Sequence, residues 1–170
     1  MGSSRVRRVN MYAAAGRAVR LVASTVRRMR PPYEVFVLVR RDDEYLILHR
    51  SPRQGAYWHC VAGGVEEGET YAEAAVRELR EETGLSARPR DLGDPVWHEV
   101  AEFSYDGRRY RQEQDFFLLR VGSPEISADG RDDEEAAVID GHRWWTLSEL
   151  EATTDSYYPP ELPGLLRALS

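Results

Sequence analysis

Lysine is absent from the 170 residues; all 23 basic residues are arginine. That bias leaves the charge count unchanged and excludes nothing by itself. Cysteine is nearly absent too. The single Cys60 cannot form an internal disulfide, which removes the disulfide-scaffold class and fits a reducing, cytoplasmic compartment. Long apolar runs are missing: no stretch approaches the ~18 consecutive apolar residues that a membrane-spanning helix needs. Acid is missing locally, since none precedes Glu34 while eight arginines do. The remainder carries 15 arginines against 29 acids, a net of −14 within a whole-chain charge of −6. A basic arm thus precedes an acidic body. Such a body does not suit non-specific duplex binding, which needs a basic footprint, so nucleic acid is not the expected partner. It suits a site where carboxylates hold divalent cations that in turn bind phosphates.

The arm, residues 1–32, reads as a basic amphipathic helical extension ahead of one domain over 33–170. Tyr12, Ala15, Val19, Val22, Val26 and Met29 recur at spacings of three and four and share a face. Asn10 fits an N-cap, and Pro31-Pro32 stops the helix. Three readings stay open: packing on the body or across a homodimer, contact with a membrane surface or nucleic acid, or a transit-type segment. The apolar stripe favours the first.

Beyond Pro32 the pattern predicts strands over 33–40, 45–49, 58–62, 96–105, 110–121 and 143–146. Helices are predicted over 70–83, 148–151 and 162–169, with a polar loop over 122–135. Thr70 and Glu73 make a capping box for the first helix, and Gly84 its C-cap. Hairpins mixed with irregular alternation of strands and helices imply an α+β fold, a mixed sheet covered by helices.

The chemistry concentrates in 63–85, GGVEEGETYAEAAVRELREETGL. Ala72, Ala75, Val76, Leu79 and Thr83 form the face expected to pack inward. Glu78, Glu81 and Glu82 share another stripe, and like charges at that spacing destabilise a helix by about 0.2–0.5 kcal/mol per pair. Two things can offset the repulsion. One is arginine, since Arg77 and Glu81 are an i, i+4 pair; the other is a hard divalent cation with oxygen ligands. Gly63, Gly64 and Gly68 surround a loop leading to the helix start, with Glu69 at its mouth. Glycines there let backbone approach a ligand closely.

This stretch resembles the signature of the Nudix hydrolase family. That signature is Gly, five residues, Glu, seven residues, Arg-Glu, an aliphatic, any residue, Glu-Glu, any residue, Gly and an aliphatic. Gly63, Glu69, Arg77, Glu78, Leu79, Glu81, Glu82, Gly84 and Leu85 fill every specified position. The resemblance implies an α/β/α sandwich with the box as a loop–helix–loop, and hydrolysis of a diphosphate linkage using Mg²⁺ or Mn²⁺. It implies Glu78, Glu81 and Glu82 as metal ligands, with Glu81 and Glu82 also counted as catalytic. Arg77 would orient carboxylates, Glu69 would support the loop or join the metal shell, and the backbone at Gly63 and Gly64 would face the ion. The general base in this family is a box glutamate or one from a later strand; Glu113 is the candidate for the second case, against the reading of an exposed glutamate on a polar strand.

The stretch YWHCVAGGVEEGET is similar to dihydroneopterin triphosphate pyrophosphatases and related nucleoside triphosphate hydrolases. The expected substrate is therefore a nucleoside polyphosphate or a related small molecule. Arg53 and Arg109, with Arg108 and Arg111, are candidates to grip phosphates; Trp58, with Phe103, Tyr105 and Tyr110, to stack a base. Cys60 reads as a core filler. Two rival functions remain: a nucleotide sensor that does not cleave, and a nucleic-acid-binding protein acting through its arm.

Overall fold

The computed structural model describes residues 5–8, 32–50, 55–105, 108–131 and 133–169. The helix predicted from Tyr12 to Met29 and the candidate Arg53 lie outside them.

In β2 (Tyr33–Arg41), Val35, Val37 and Val39 point to one face, Phe36 and Leu38 to the other, and all five are buried. A strand buried on both faces needs cover on both, and that requirement sets the architecture. The chain turns at Asp42, whose positive φ of 52° its short polar side chain tolerates, and returns antiparallel as β3 (Glu44–Arg50). The strand predicted over 58–62 is interrupted at Cys60. Its two parts, β4 (Tyr57–His59) and β5 (Val61–Gly64), pair with different strands, β4 with β3 and β5 with β2. β6 (Trp97–Tyr105) and β7 (Arg108–Arg120) form the long antiparallel pair predicted, and β7 lies parallel to β2. β8 (Ile139–Thr146) covers the other edge of β3. Two short strands complete the described sheet: β1 (Arg5–Arg8), parallel to β6, and β9 (Tyr157–Tyr158), parallel to β4.

Helices take both faces. On one, α1 (Tyr71–Thr83) and α2 (Pro89–Leu92) set Ala74, Ala75, Leu79 and Leu92 against Val35, Val37 and Phe117. On the other, α4 (Leu147–Ala152) and α5 (Leu162–Ala168) set Leu150, Leu162 and Leu166 against Phe36, Leu38 and Phe116. The predicted α+β sandwich with a mixed sheet is the fold observed. α2, β9 and α3 (Asp133–Ala136), the last within the stretch predicted as loop, are four residues or fewer, too short to register as periodicity. Among the described residues no helix is long and apolar enough to cross a membrane.

Candidate active site

The helix of the box begins as its sequence dictates. Thr70 Oγ1 accepts from the Glu73 N–H, and the Glu73 carboxylate accepts from the Thr70 N–H at 2.8 Å. At the far end Gly84, at φ 73°, donates its N–H to Arg80 O. The buried stripe differs from the predicted one. It comprises Ala74, Ala75, Glu78, Leu79, Glu82 and Thr83, while Ala72 and Val76 are only partly buried. Two carboxylates therefore face the sheet, a rotation that apolar periodicity misses because it counts every carboxylate as outward.

Glycine makes this burial feasible. A Cβ built on Gly63 would lie 1.9 Å from Glu78 Cδ, so a side chain there and the Glu78 carboxylate are mutually exclusive. Glu82 is fixed from the same segment, Oε2 accepting the Ala62 N–H at 3.1 Å.

Arg77 ties the loop to the helix. Its Nε and Nη2 donate to the two oxygens of Glu69 at 2.8 and 3.0 Å, a bidentate pair. Nη1 donates to Glu78 Oε1 at 2.7 Å and to Glu81 Oε2 at 3.1 Å, while Nη2 also reaches Gly64 O at 2.8 Å. The Arg77 hydrogen bonds hold the Glu69 carboxyl below its usual range, and Glu69 foremost pushes the guanidinium pKa upward. The predicted Arg77–Glu81 pair is thus one part of a wider hub. Gly63, Gly64, Glu69, Arg77, Glu78, Glu81 and Glu82 all converge here.

Beside Glu78 and Glu82 opens a cavity of about 320 Å³. Arg50, Tyr57, His59, Glu34, Gln112 and Tyr158 line its other walls. None of these six was among the predicted site residues, although Trp58 and Glu113 are next in sequence to His59 and Gln112. Trp58 does not line the cavity; its ring lies tilted against His49 and edge-on to Trp145, and it donates Nε1–H to Asp155. Glu113 points to the opposite face of β7 from Gln112 and pairs with Arg111 at 3.0 Å. Arg109 is exposed on β7 and does not line the cavity. The side chains of Phe103, Tyr105 and Arg108 lie outside those described. One legible signal was Glu34, an acid inside an otherwise apolar strand and in step with Phe36.

His59 is buried and its Nδ1–H donates to Cys60 O at 2.8 Å. Burial, with the Arg50 charge next in weight, lowers its pKa to about 3. Cys60 fills the core as predicted, and burial pushes its thiol pKa up. A second cavity, of about 350 Å³, is walled largely by apolar groups such as Trp97, Phe116 and Leu165 and contains no box residue.

Among the described residues no three acidic, histidine or cysteine side chains close on one point. The donor set nevertheless fits a hard divalent cation. Glu78, Glu81 and Glu82 present carboxylate oxygens from adjacent turns, and the missing side chain at Gly63 leaves room for the first of them.

Comparison with known proteins agrees with this geometry. The NUDIX domain family matches residues 30–163. An RNA pyrophosphohydrolase of Sphingopyxis alaskensis is 32% identical over 128 residues, covering 68% of this chain and 77% of its own. One of Erythrobacter litoralis is 41% identical over 83 residues, 42% of this chain, and the match spans about half, 49%, of that relative. Among solved structures, a bifunctional NMN adenylyltransferase/ADP-ribose pyrophosphatase of Francisella tularensis, complexed with AMP and a Mn ion, superposes with a TM-score of 0.58. It is 26% identical over 84% of this chain and 42% of that one. With its complete box folded into a carboxylate-bearing loop and helix, this chain belongs to the Nudix family.

Proposed function

We propose that the chain hydrolyses a diphosphate linkage in a nucleoside-polyphosphate-type substrate, with Mg²⁺ or Mn²⁺ held by Glu78, Glu81 and Glu82. The observation that carries the reading is the pairing of two buried carboxylates, Glu78 and Glu82, with a cavity whose walls include Arg50. Burying carboxylates is costly unless a partner compensates them. When bound, the cation supplies positive charge against phosphate oxygens and acidity to water.

The chain's own residues supply the rest. Arg77 holds Glu78 and Glu81 in fixed orientation, so little reorganisation remains when substrate arrives. Glu69, held by Arg77 and accepting the Glu66 N–H at 3.0 Å, locks the loop. Arg50, which lines the cavity, is a phosphate-facing candidate beside Arg53, while Arg109 does not line the cavity. The general base must lie within hydrogen-bond reach of the attacking water, which favours the cavity carboxylates Glu34 and Glu82 over Glu113.

A screen for released phosphate, pyrophosphate or nucleoside monophosphate tests this over nucleoside triphosphates, nucleotide sugars, dinucleoside polyphosphates and ADP-ribose, with and without Mg²⁺. The names of two relatives add RNA with a 5′-polyphosphate end, the one place where RNA carries a diphosphate linkage. The expected result is Mg²⁺-dependent release that falls on the order of a hundredfold in Glu82→Gln, with melting temperature preserved. Undiminished release in excess chelator overturns the metal assignment. Tight nucleotide binding without release from any substrate overturns hydrolysis in favour of a sensor.

A further inference from the structure

We propose that His59 reads an amino group on the base of the bound nucleotide, accepting its N–H at Nε2. This rests on the proposed substrate class and adds which part of the substrate is recognised.

The tautomer follows from the backbone. Nδ1 lies 2.8 Å from Cys60 O, and a carbonyl oxygen only accepts, so Nδ1 carries the proton. Nε2 is left with a lone pair and can act only as an acceptor. His59 is 7% exposed and lines the cavity, yet Nε2 has no hydrogen-bond partner among the described residues. Buried acceptors are normally satisfied, and an exception on a cavity wall marks a place for a donor from outside the protein.

The rest of the wall sharpens the contrast. Gln114 Nε2 already lies 3.0 Å from Gln112 Oε1 and 3.2 Å from both Glu34 Oε2 and Tyr158 Oη. Arg50, the nearby cation, directs Nη1 to Tyr57 Oη at 2.5 Å. Glu34 Oε2, Gln112 Oε1 and Tyr158 Oη, on the cavity wall, thus have a donor within reach. Two buried acceptors here do not, Gln114 Oε1 and His59 Nε2, and of the two residues only His59 lines the cavity. Phe36, Tyr57 and Tyr158 give the cavity aromatic sides, and its volume of about 320 Å³ lies within the range of small-molecule sites. A flat ring with an exocyclic amine, as in adenine or cytosine, supplies the missing N–H. The corresponding oxo rings, hypoxanthine and uracil, would set a carbonyl oxygen against the lone pair. Burial keeps the imidazole neutral, so the lone pair persists through the working pH range.

Two measurements on the full chain test this. The first is ¹⁵N NMR of the His59 imidazole, assigned by its loss in His59→Gln, with AMP against IMP and CMP against UMP as probes. The expected spectrum shows a protonated Nδ1, and a Nε2 resonance that moves with an amino-bearing nucleotide and not with its oxo counterpart. The second compares KM for ATP against ITP and CTP against UTP. We expect at least one pair to favour the amino form by about tenfold or more in KM. In His59→Phe that ratio should approach one, and His59→Gln, which keeps an acceptor, should restore part of it. An Nε2 resonance indifferent to the amino group, or an unchanged KM ratio in folded His59→Phe, overturns the proposal. Absence of turnover with every nucleotide overturns the hydrolase reading instead, and the NMR result then decides the role of His59 alone. If His59→Phe does not fold, His59→Gln and the NMR comparison decide it.

Discussion

A methyl group on Gly63 would occupy the place of the Glu78 carboxylate, 1.9 Å from its Cδ. That carboxylate ends a flexible side chain and can swing away, while the backbone at Gly63 has no positive φ to protect and keeps its pairing with Val35. Gly63→Ala should therefore change stability by no more than about 1 kcal/mol, yet displace a proposed metal ligand. The expected outcome is a melting temperature within a few degrees of wild type and turnover lower by on the order of a hundredfold. A large fall in melting temperature with activity retained would place the role of Gly63 in packing. The same scale shows what the sequence could tell. Glu69, Arg77, Glu78, Glu81 and Glu82 were legible because one loop and one helix carry them at fixed spacing. Arg50, His59 and Gln112 were not, because they meet only when separate strands pair. Trp58 and Glu113 each lie one residue from a cavity-lining one, His59 and Gln112, and one residue along a strand reverses the face.

At the end of α1 the unpaired carbonyls of the last turn must find donors, and the segment 127–131 supplies them. Ser127 N–H donates to Thr83 O at 2.9 Å, and Arg131 Nε donates to Glu82 O at 2.9 Å. Arg131 Nη1 also reaches Ile139 O at 3.0 Å, joining helix to β8. The segment lies so close that a Cβ on Gly130 would be 2.5 Å from Arg80 O. Nothing in its sequence announced this. The helix start was legible through Thr70 and Glu73, which bond locally, whereas the clasp at its end depends on contacts made 49 residues apart. Arg131→Ala should lower stability by about 1–3 kcal/mol, as expected when partly buried carbonyls lose a charged donor. Hydrogen exchange should rise selectively at the amides of the last α1 turn and of Gly84 and Leu85. Unchanged protection there would mean that Gly84 alone closes the helix.

Across the whole molecule the sheet was legible strand by strand through alternation, but its order was not, since pairing partners are set by long-range packing. β1 is the clearest case. Four residues ahead of the helix predicted from Asn10 lie along β6, with Arg5 in register with Glu99 and Arg8 with Glu102. Removing residues 1–32 would uncover the outer edge of β6, and an uncovered edge invites pairing with another chain. It would also take away eight arginines and leave a net charge of −14, against −6 for the full chain. Self-repulsion in the truncated body should then rise at low ionic strength. Deletion of 1–32 is expected to lower the melting temperature by about 5 °C, the shift that roughly 1–3 kcal/mol produces in a domain of this size. The gap should narrow in high salt, where attraction between basic arm and acidic body is screened. Light scattering on the same samples should show more self-association of the truncated chain, again increasing with salt as its charge is screened. Equal melting temperatures and equal particle size at both salt concentrations would show that the arm stabilises neither the sheet edge nor a dimer, and would leave its apolar stripe to be explained by a partner outside this chain.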